Sequence, residues 1–297
     1  MELCYYKSEK GNFGDDLNPL ILDYLIPQYG EVLDDTVLFL IGTILFEGFV
    51  GRRSIEQFDT KRKIVFGSGV RYINNPPKMD ADWDIRFLRG PLSSIVLLNK
   101  GDKFITDPAY LVRMLPVFKE LNPKKKYKIS IIPHFLSLDK LDWKKLCNNL
   151  DVNFINPSEK NLKLILEQIA SSEMVITEAM HGAIIADALR IPWKRVKWFS
   201  HIYEQEIVSE FKWADWLASM SLKNVSTTLP YNKIIRELDK RINLPFLKHV
   251  RMGPVEDMFA LILKENSYQL SDDILLGYKM EQFSEEIEWL KNTILKK

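Results

Sequence analysis

Cysteine is scarce in this chain of 297 residues: only Cys4 and Cys147 occur. They lie far apart, one in an expected strand and one in an expected helix, so two buried free thiols are expected rather than a disulfide, in keeping with a reducing compartment. The spacings C-x-x-C and H-E-x-x-H are absent, and no zinc site is expected. No apolar run reaches bilayer length; the longest, Val37 to Phe46, is interrupted by Gly42-Thr43. The opening Met1-Glu-Leu-Cys-Tyr-Tyr-Lys7 has neither the basic start nor the long apolar centre of a secretion signal. Charge of one sign is not in excess either, with 41 Lys and Arg against 40 Asp and Glu. That balance gives no global case for nucleic acid, and the clusters Lys61-Arg-Lys63, Lys124-Lys-Lys126 and Lys194-Arg195 with Lys197 read as solvated loop or edge charge. No short repeat or low-complexity segment is visible. A soluble, cytoplasmic protein is expected, with peripheral contact at the inner membrane face left open.

The chain does hold ample core material: it is 46% hydrophobic, with 16 Phe, 11 Tyr and 7 Trp. Apolar runs of four to eight residues alternate with longer amphipathic ones, the signature of parallel α/β units. Strands are expected at Leu3 to Lys7, Val37 to Gly42, Lys63 to Gly67, Asp84 to Leu88 and Lys103 to Thr106, with a helix over Asp15 to Leu25. After the polar stretch Leu121 to Tyr127 the pattern restarts. Strands are expected at Lys128 to Ile132, Val152 to Ile155 and Met174 to Thr177, and Val196 to Phe199 is expected to close the second sheet. Helices fill Leu141 to Leu150 and Glu159 to Ala170, and the character is helical from Tyr203 onward. In the last helix, Ile287, Leu290 and Ile294 recur at helical spacing as a docking stripe or an oligomer contact. The expected fold is α/β: two Rossmann-like domains facing a cleft, residues 1–120 and 121–225, followed by a helical extension over 226–297.

The most informative stretch is Glu178-Ala-Met-His-Gly-Ala-Ile-Ile-Ala-Asp-Ala188, directly after Met174-Val-Ile-Thr177. A buried strand is expected to break at His181-Gly182 and a small-residue helix to begin there. This places an imidazole and unpaired amides at the carboxyl end of a strand, where α/β sheets collect ligands and helix N-termini attract anions. His181 titrates in the useful range; it reads either as a proton donor and acceptor or as a cap on its own helix. Gly182 permits close approach.

Other strand-to-loop turns carry further candidates. Asn12, Gly14 and Asp15 follow the first strand as a turn that opens a helix, without the lysine of a P-loop or the G-x-G-x-x-G spacing. Arg89, delivered by Ile85 and Phe87 to a strand end before Gly90-Pro91, offers a fork suited to phosphate or carboxylate, or else an interdomain salt bridge. Gly67-Ser68-Gly69 leaves room for a ligand, and His134 follows a strand-terminal proline. Tyr72, Trp193 and Trp198 could stack on a sugar or fill the core.

In order and approximate spacing, these elements resemble the polysaccharide pyruvyl transferase family over roughly residues 2 to 200. The features are Asn12-x-Gly14-Asp15, Gly67-x-Gly69, Arg89-Gly90 with Ser93 or Ser94, Asp107-Pro108-Ala109, Ile132-Pro133-His134, and His181-Gly-x-Ile184-x-Ala186 with Pro192. The shorter succinoglycan-type ketalase branch is the nearest match. The resemblance implies a glycosyltransferase-B-like architecture and transfer of pyruvate from phosphoenolpyruvate onto two hydroxyls of a sugar, giving a ketal and phosphate. The acceptor would be a bacterial-type polysaccharide or a precursor, lipid-linked or not, and the enzyme would work without metal or other cofactor beside other assembly enzymes. It implies catalysis by His181 and donor binding by Arg89. His134 or Asp15 would deprotonate an acceptor hydroxyl. Many family members have Arg-Leu-His where this chain has Ala179-Met180-His181, so one donor-anion contact is unassigned, and Lys194 or Arg195 is the expected substitute. Two rival readings are a nucleotide-sugar glycosyltransferase, with Glu178 holding the ribose, and a non-catalytic glycan-binding assembly protein.

Overall fold

A computed structural model describes residues 1–32, 35–47, 49–50, 53–54, 58, 61–121, 123–200, 204–228, 247–265 and 267–295. From the N-terminus run β1 (Glu2–Cys4), α1 (Phe13–Leu25), β2 (Thr36–Phe39), β3 (Thr43–Leu45), β4 (Phe49–Val50), β5 (Arg53–Ser54), β6 (Arg62–Phe66), β7 (Gly69–Val70) and β8 (Trp83–Phe87). Helices α2 (Pro91–Leu98) and α3 (Pro116–Glu120) follow. The second series is β9 (Tyr127–Ile132), α4 (Trp143–Asn149), β10 (Asn153–Phe154), α5 (Leu162–Ala170), β11 (Ser172–Thr177), α6 (Met180–Ala188) and β12 (Trp193–Lys197). Last come α7 (Glu206–Ser219), β13 (Thr227–Thr228), α8 (Leu247–Lys264) and α9 (Asp273–Leu295).

Two sheets result, with strand orders β1-β2-β6-β8 and β10-β9-β11-β12-β13, and every pairing within them is parallel. Parallel neighbours need crossovers: α1 supplies the one between β1 and β2, and helices supply those of the second sheet, whereas no described α-helix lies between β2 and β6 or between β6 and β8. Because helices cover both faces, the central strands are continuous apolar runs, as in the fully buried Thr36–Phe39. The short parallel pair β3–β7 continues from the ends of β2 and β6.

Three local expectations shift. The second sheet does not end at Val196 to Phe199: β13 pairs outside β12, Val196 opposite Thr227. Trp198 and Phe199 leave the sheet because their amides, with that of Ser200, turn inward to donate to Glu178 Oε1 at 3.2, 2.7 and 2.7 Å. Lys103 to Thr106 contributes one isolated bridge, Leu88 with Phe104, since Asp107 then caps a 3-10 segment, Pro108–Met114. The strand before α6 breaks at Glu178-Ala179, and the helix begins at Met180.

The largest apolar cluster is shared between the two sheets, joining Leu17, Ile21 and Leu22 of α1 to Ile132, Ile184 and Ile185. Residues 229–246 of the expected 226–297 extension lie outside the described residues. The two helices beyond them go to different sheets. Helix α8 buries Val255, Met258, Phe259 and Ile262 with Ile129, Ile131 and Trp198. Helix α9 returns to the first sheet: Phe283 packs on Phe87 at 5.5 Å between ring centroids. Beside it Glu286 takes Arg86 at 2.8 Å, and the Arg86 guanidinium lies 3.7 Å from the centre of the Trp289 ring. The stripe Ile287, Leu290 and Ile294 is buried in the shared core, so it docks within the chain. No described helix is long and apolar enough to cross a membrane.

Candidate active site

A cavity of about 530 Å³ opens where strands of both sheets end, a size that suits a small-molecule substrate. Its wall takes Tyr6 and Asn12 from beyond β1, Gly42 and Thr43 from beyond β2, His134 from beyond β9, and Ala179 and His181 from beyond β11. Carboxyl ends of parallel strands are where α/β folds bind ligands.

Backbone and small residues set His181 in place. Thr177 Oγ1 donates to the Ala179 carbonyl at 2.8 Å, and a Cβ on Gly182 would stand 2.3 Å from that hydroxyl. No side chain caps α6; the Gly182 amide donates to the Ala179 carbonyl at 3.0 Å, which leaves the amides of Met180 and His181 to solvent or a ligand. On the opposite side, α1 begins at Phe13, and a Cβ on Gly14 would fall 1.9 Å from His181 Nδ1. The imidazole therefore rests on the bare backbone of Gly14. Its Nε2 is buried without a hydrogen bond and faces Asp107 Oδ2, likewise unpartnered, at 3.9 Å.

The electrostatics are uneven across this small space. Burial, with Lys212, Arg89 and His134 nearby, pushes His181 down to about 3, so the imidazole is neutral. Burial raises Asp15 to about 7, aided by Asp16 and Asp107 and opposed by Lys212 and the Asn12 amide, which donates to Asp15 Oδ2 at 2.5 Å. Burial lifts Asp107 to about 6 against the pull of Arg89. His134 is held below its ordinary value, chiefly by burial. Its Nδ1 accepts the Leu136 amide at 3.3 Å, which puts the ring proton on Nε2 and makes that nitrogen a donor.

Asn12, Gly14, Asp15, His134, His181 and Gly182 thus converge. Other expected site residues lie elsewhere. Arg89 is fully buried behind the wall: its Nε meets Asp215 Oδ2 at 3.1 Å and its Nη1 meets Thr43 Oγ1 at 2.7 Å. Thr43 alone of that pair faces the cavity. Ser68 gives its hydroxyl to the Leu40 carbonyl at 2.8 Å, and Gly69 is small because a Cβ would stand 2.4 Å from the Arg89 guanidinium. Lys194 turns to Glu265 at 3.1 Å, and Arg195 to Glu210 at 2.7 Å, over the Trp213 ring. Neither reaches the cavity, because alternate residues of β12 face helices α8 and α7 on opposite sides of the sheet. Glu178 is not open to a ribose: its oxygens accept the amides of His134, Trp198, Phe199 and Ser200. Of the candidate stacking aromatics, Tyr72 lines the cavity, whereas Trp193 and Trp198 are core.

The cations on the wall are Arg71 and Lys212. Arg71 lies against the rings of Phe46 and Tyr72 at 5.2 and 5.3 Å, and its Nε is buried without a partner. Lys212 pairs with Glu204. Sequence reading left both cations unassigned: Arg71 follows a glycine turn, and Lys212 looks like the polar face of an amphipathic helix. A lysine between Phe211 and Trp213, three residues before the buried Asp215, was the available signal. Among the described residues, no group of three or more His, Cys, Asp or Glu could hold a metal ion.

The Gly14 contact gives a sharp test. Alanine in a helix is normally favoured over glycine by about 1 kcal/mol, but at position 14 it collides with the base of the His181 side chain. Gly14→Ala should destabilise by about 1–3 kcal/mol through overpacking and abolish most turnover. In a His181→Gly background, which also removes the His181 Cβ that would stand 2.6 Å away, the same change should cost far less, a coupling that a double-mutant cycle in urea measures.

Comparison with known proteins places the chain in a family. The sequence pattern of the polysaccharide pyruvyl transferase family matches residues 12–193, a span that opens at Asn12 and includes Asp15, Arg71, Asp107, His134 and His181. The succinoglycan biosynthesis protein ExoV of Rhizobium meliloti is 37% identical over 223 residues, covering 75% of this chain and 66% of that protein. An uncharacterised protein of Acanthamoeba polyphaga mimivirus is 27% identical over 186 residues, 59% of this chain and 60% of its own length. The chain therefore spans slightly less than two thirds of either relative. With the family pattern covering more than half of the chain, this protein belongs to the polysaccharide pyruvyl transferase family.

Proposed function

We propose that the protein transfers pyruvate from phosphoenolpyruvate to two hydroxyls of a sugar in a polysaccharide or its precursor, forming a pyruvate ketal and releasing phosphate. In this reading the two parallel sheets take a glycosyltransferase-B-like arrangement, with donor and acceptor meeting in the cavity at their strand ends. The observation that carries it is a neutral His181 with an unpartnered Nε2 sharing one cavity with two cations, Arg71 inside the family's matched span and Lys212 past it. Phosphoenolpyruvate bears a phosphate and a carboxylate, and two cations answer two anionic groups. Arg89 acts from behind the wall, adding positive field and holding Thr43, while Asn12 and the first turn of α6 supply polar donors.

The proton inventory fits the reaction. The donor C3 must gain a proton while a sugar oxygen bonds to C2; a second hydroxyl then displaces phosphate at C2. Two hydroxyl protons are released, one replacing the proton placed on C3 and one leaving with phosphate. Burial is the main cause of the neutral His181, with Lys212 and Arg89 adding to it; the negative charge of a bound donor opposes those two cations and so raises His181 toward the protonated form. His181 then supplies the C3 proton. Asp15, near 7 in the empty cavity, accepts a proton from one hydroxyl, and His134 orients it through Nε2–H. The acceptor is a sugar of the exopolysaccharide being assembled, reached from a lipid-linked precursor or from the polymer.

Thermal melts test the donor. Phosphoenolpyruvate at 100 times its Kd should add about 2.7 kcal/mol of stability, and Arg71→Ala should lose most of that gain. A protein stabilised by nucleotide sugars and indifferent to phosphoenolpyruvate would be a glycosyltransferase instead.

A further inference from the structure

Past the span matched by the family lies an ion pair on the cavity wall of which the scheme above uses only the lysine. Lys212 from α7 binds Glu204 from the segment before it, with side chains 10% and 19% exposed. Only one oxygen of Glu204 is engaged. Oε2 is buried without a hydrogen-bond partner, and the residue lines the cavity together with His134, His181, Arg71 and Lys212. Burial alone would raise this carboxyl, yet Lys212, His134 and Arg71 outweigh it and hold the group below its ordinary value. In the empty cavity Lys212 is therefore already neutralised from within. An anionic donor that uses Lys212 must compete with Glu204 for it. His134, its Nδ1 committed to the Leu136 amide, cannot serve as the base for a hydroxyl while neutral, and two hydroxyls must lose protons where Asp15 provides for one.

We infer that Glu204 is an internal counter-ion that the donor displaces from Lys212, and that the displaced carboxylate takes the proton of the first acceptor hydroxyl. This rests on the reading of phosphoenolpyruvate as donor. The hydroxyl O–H bond breaks toward Glu204, its electron pair forms the bond to donor C2, and the C2–C3 π electrons take the proton from His181. When the second hydroxyl attacks, the C2–O bond to phosphate breaks with its electron pair. Glu204 passes its proton to the departing phosphate and pairs again with Lys212, while the second hydroxyl's proton, through Asp15, restores His181. A base is thus released only when the donor is seated, which keeps the acceptor hydroxyls unreactive in its absence.

Glu204→Gln tests this because it drives two readouts in opposite directions. Without the competing charge, phosphoenolpyruvate should bind about tenfold more tightly by calorimetry, while turnover by phosphate release falls ~10²–10⁴-fold. A residue that merely supported the wall would weaken both. Glu204→Asp keeps the charge but withdraws it from Lys212; it should also tighten binding and retain part of the turnover, and it guards against a Gln variant that fails to fold. Donor affinity unchanged or weaker in the folded variants, or Glu204→Gln turnover within about threefold of wild type, overturns the inference. If wild type itself does not bind phosphoenolpyruvate, the donor assignment fails and takes this role with it; wild-type binding with unaltered variants sinks only Glu204.

Discussion

His181→Ala should leave a folded protein that still binds phosphoenolpyruvate and turns over ~10²–10⁴-fold more slowly. Stability is spared because Nε2 makes no hydrogen bond in the empty cavity and because the ring presses on Gly14, so its removal relieves contact as well as losing it. Donor affinity is spared because the proposed anion contacts are Arg71 and Lys212. What disappears is the proton for C3. The pH profile separates this role from Asp15. In free enzyme His181 sits near 3, Asp107 near 6 and Asp15 near 7, so a limb of kcat/KM at about 7 belongs to Asp15 and not to His181. It should persist in the residual activity of His181→Ala and vanish in Asp15→Asn. Near-normal turnover in the folded His181→Ala protein would falsify the proton-donor assignment.

The largest stability effect is expected away from the cavity, at Asp215. Asp215→Ala should lower the free energy of unfolding by about 3–5 kcal/mol, the usual penalty for stripping one partner from a buried ion pair. Asp215 and Arg89 are both fully buried. The carboxylate also accepts the Ser93 amide at 2.9 Å and its hydroxyl at 2.6 Å, so one truncation strands a guanidinium and two donors in a dry interior. The backbone is equally tight, since a Cβ on Gly90 would stand 2.1 Å from the Asp215 carbonyl. Urea melts of Asp215→Ala and of Arg89→Met with Asp215→Leu distinguish the causes. The apolar pair should recover much of the loss; a single variant within about 1 kcal/mol of wild type would mean that the charge of Arg89 needs no counter-ion.

This ion pair also marks how far the sequence can be read. Strands such as β2, β9 and β11 are legible because each is a short apolar run with a turn signal after it, and α6 because its small residues follow one such run. His181, Asp15 and His134 are legible as candidates for the same reason: strand ends are recognisable, and ligands gather there. Which strand ends meet is not local information. Arg89 satisfied every local criterion for a ligand contact, yet Asp215, 126 residues away, claims it. Lys194 and Arg195 were plausible cations just beyond the active helix, but β12 directs them to Glu265 and Glu210. Lys212 reaches the cavity from a helix whose sequence advertises only an apolar face. The edge strand Thr227–Thr228 is two residues long, too short for any periodic pattern to register.

The return of α9 to the first sheet bears on synthesis order. Phe87 and Arg86 emerge early, but their partners Phe283, Glu286 and Trp289 lie some two hundred residues later. At about 5–20 residues per second that gap lasts on the order of 10–40 s. Throughout it the Phe87 and Arg86 side chains lack their α9 partners, which leaves apolar surface of the first sheet exposed while the rest of the chain is made.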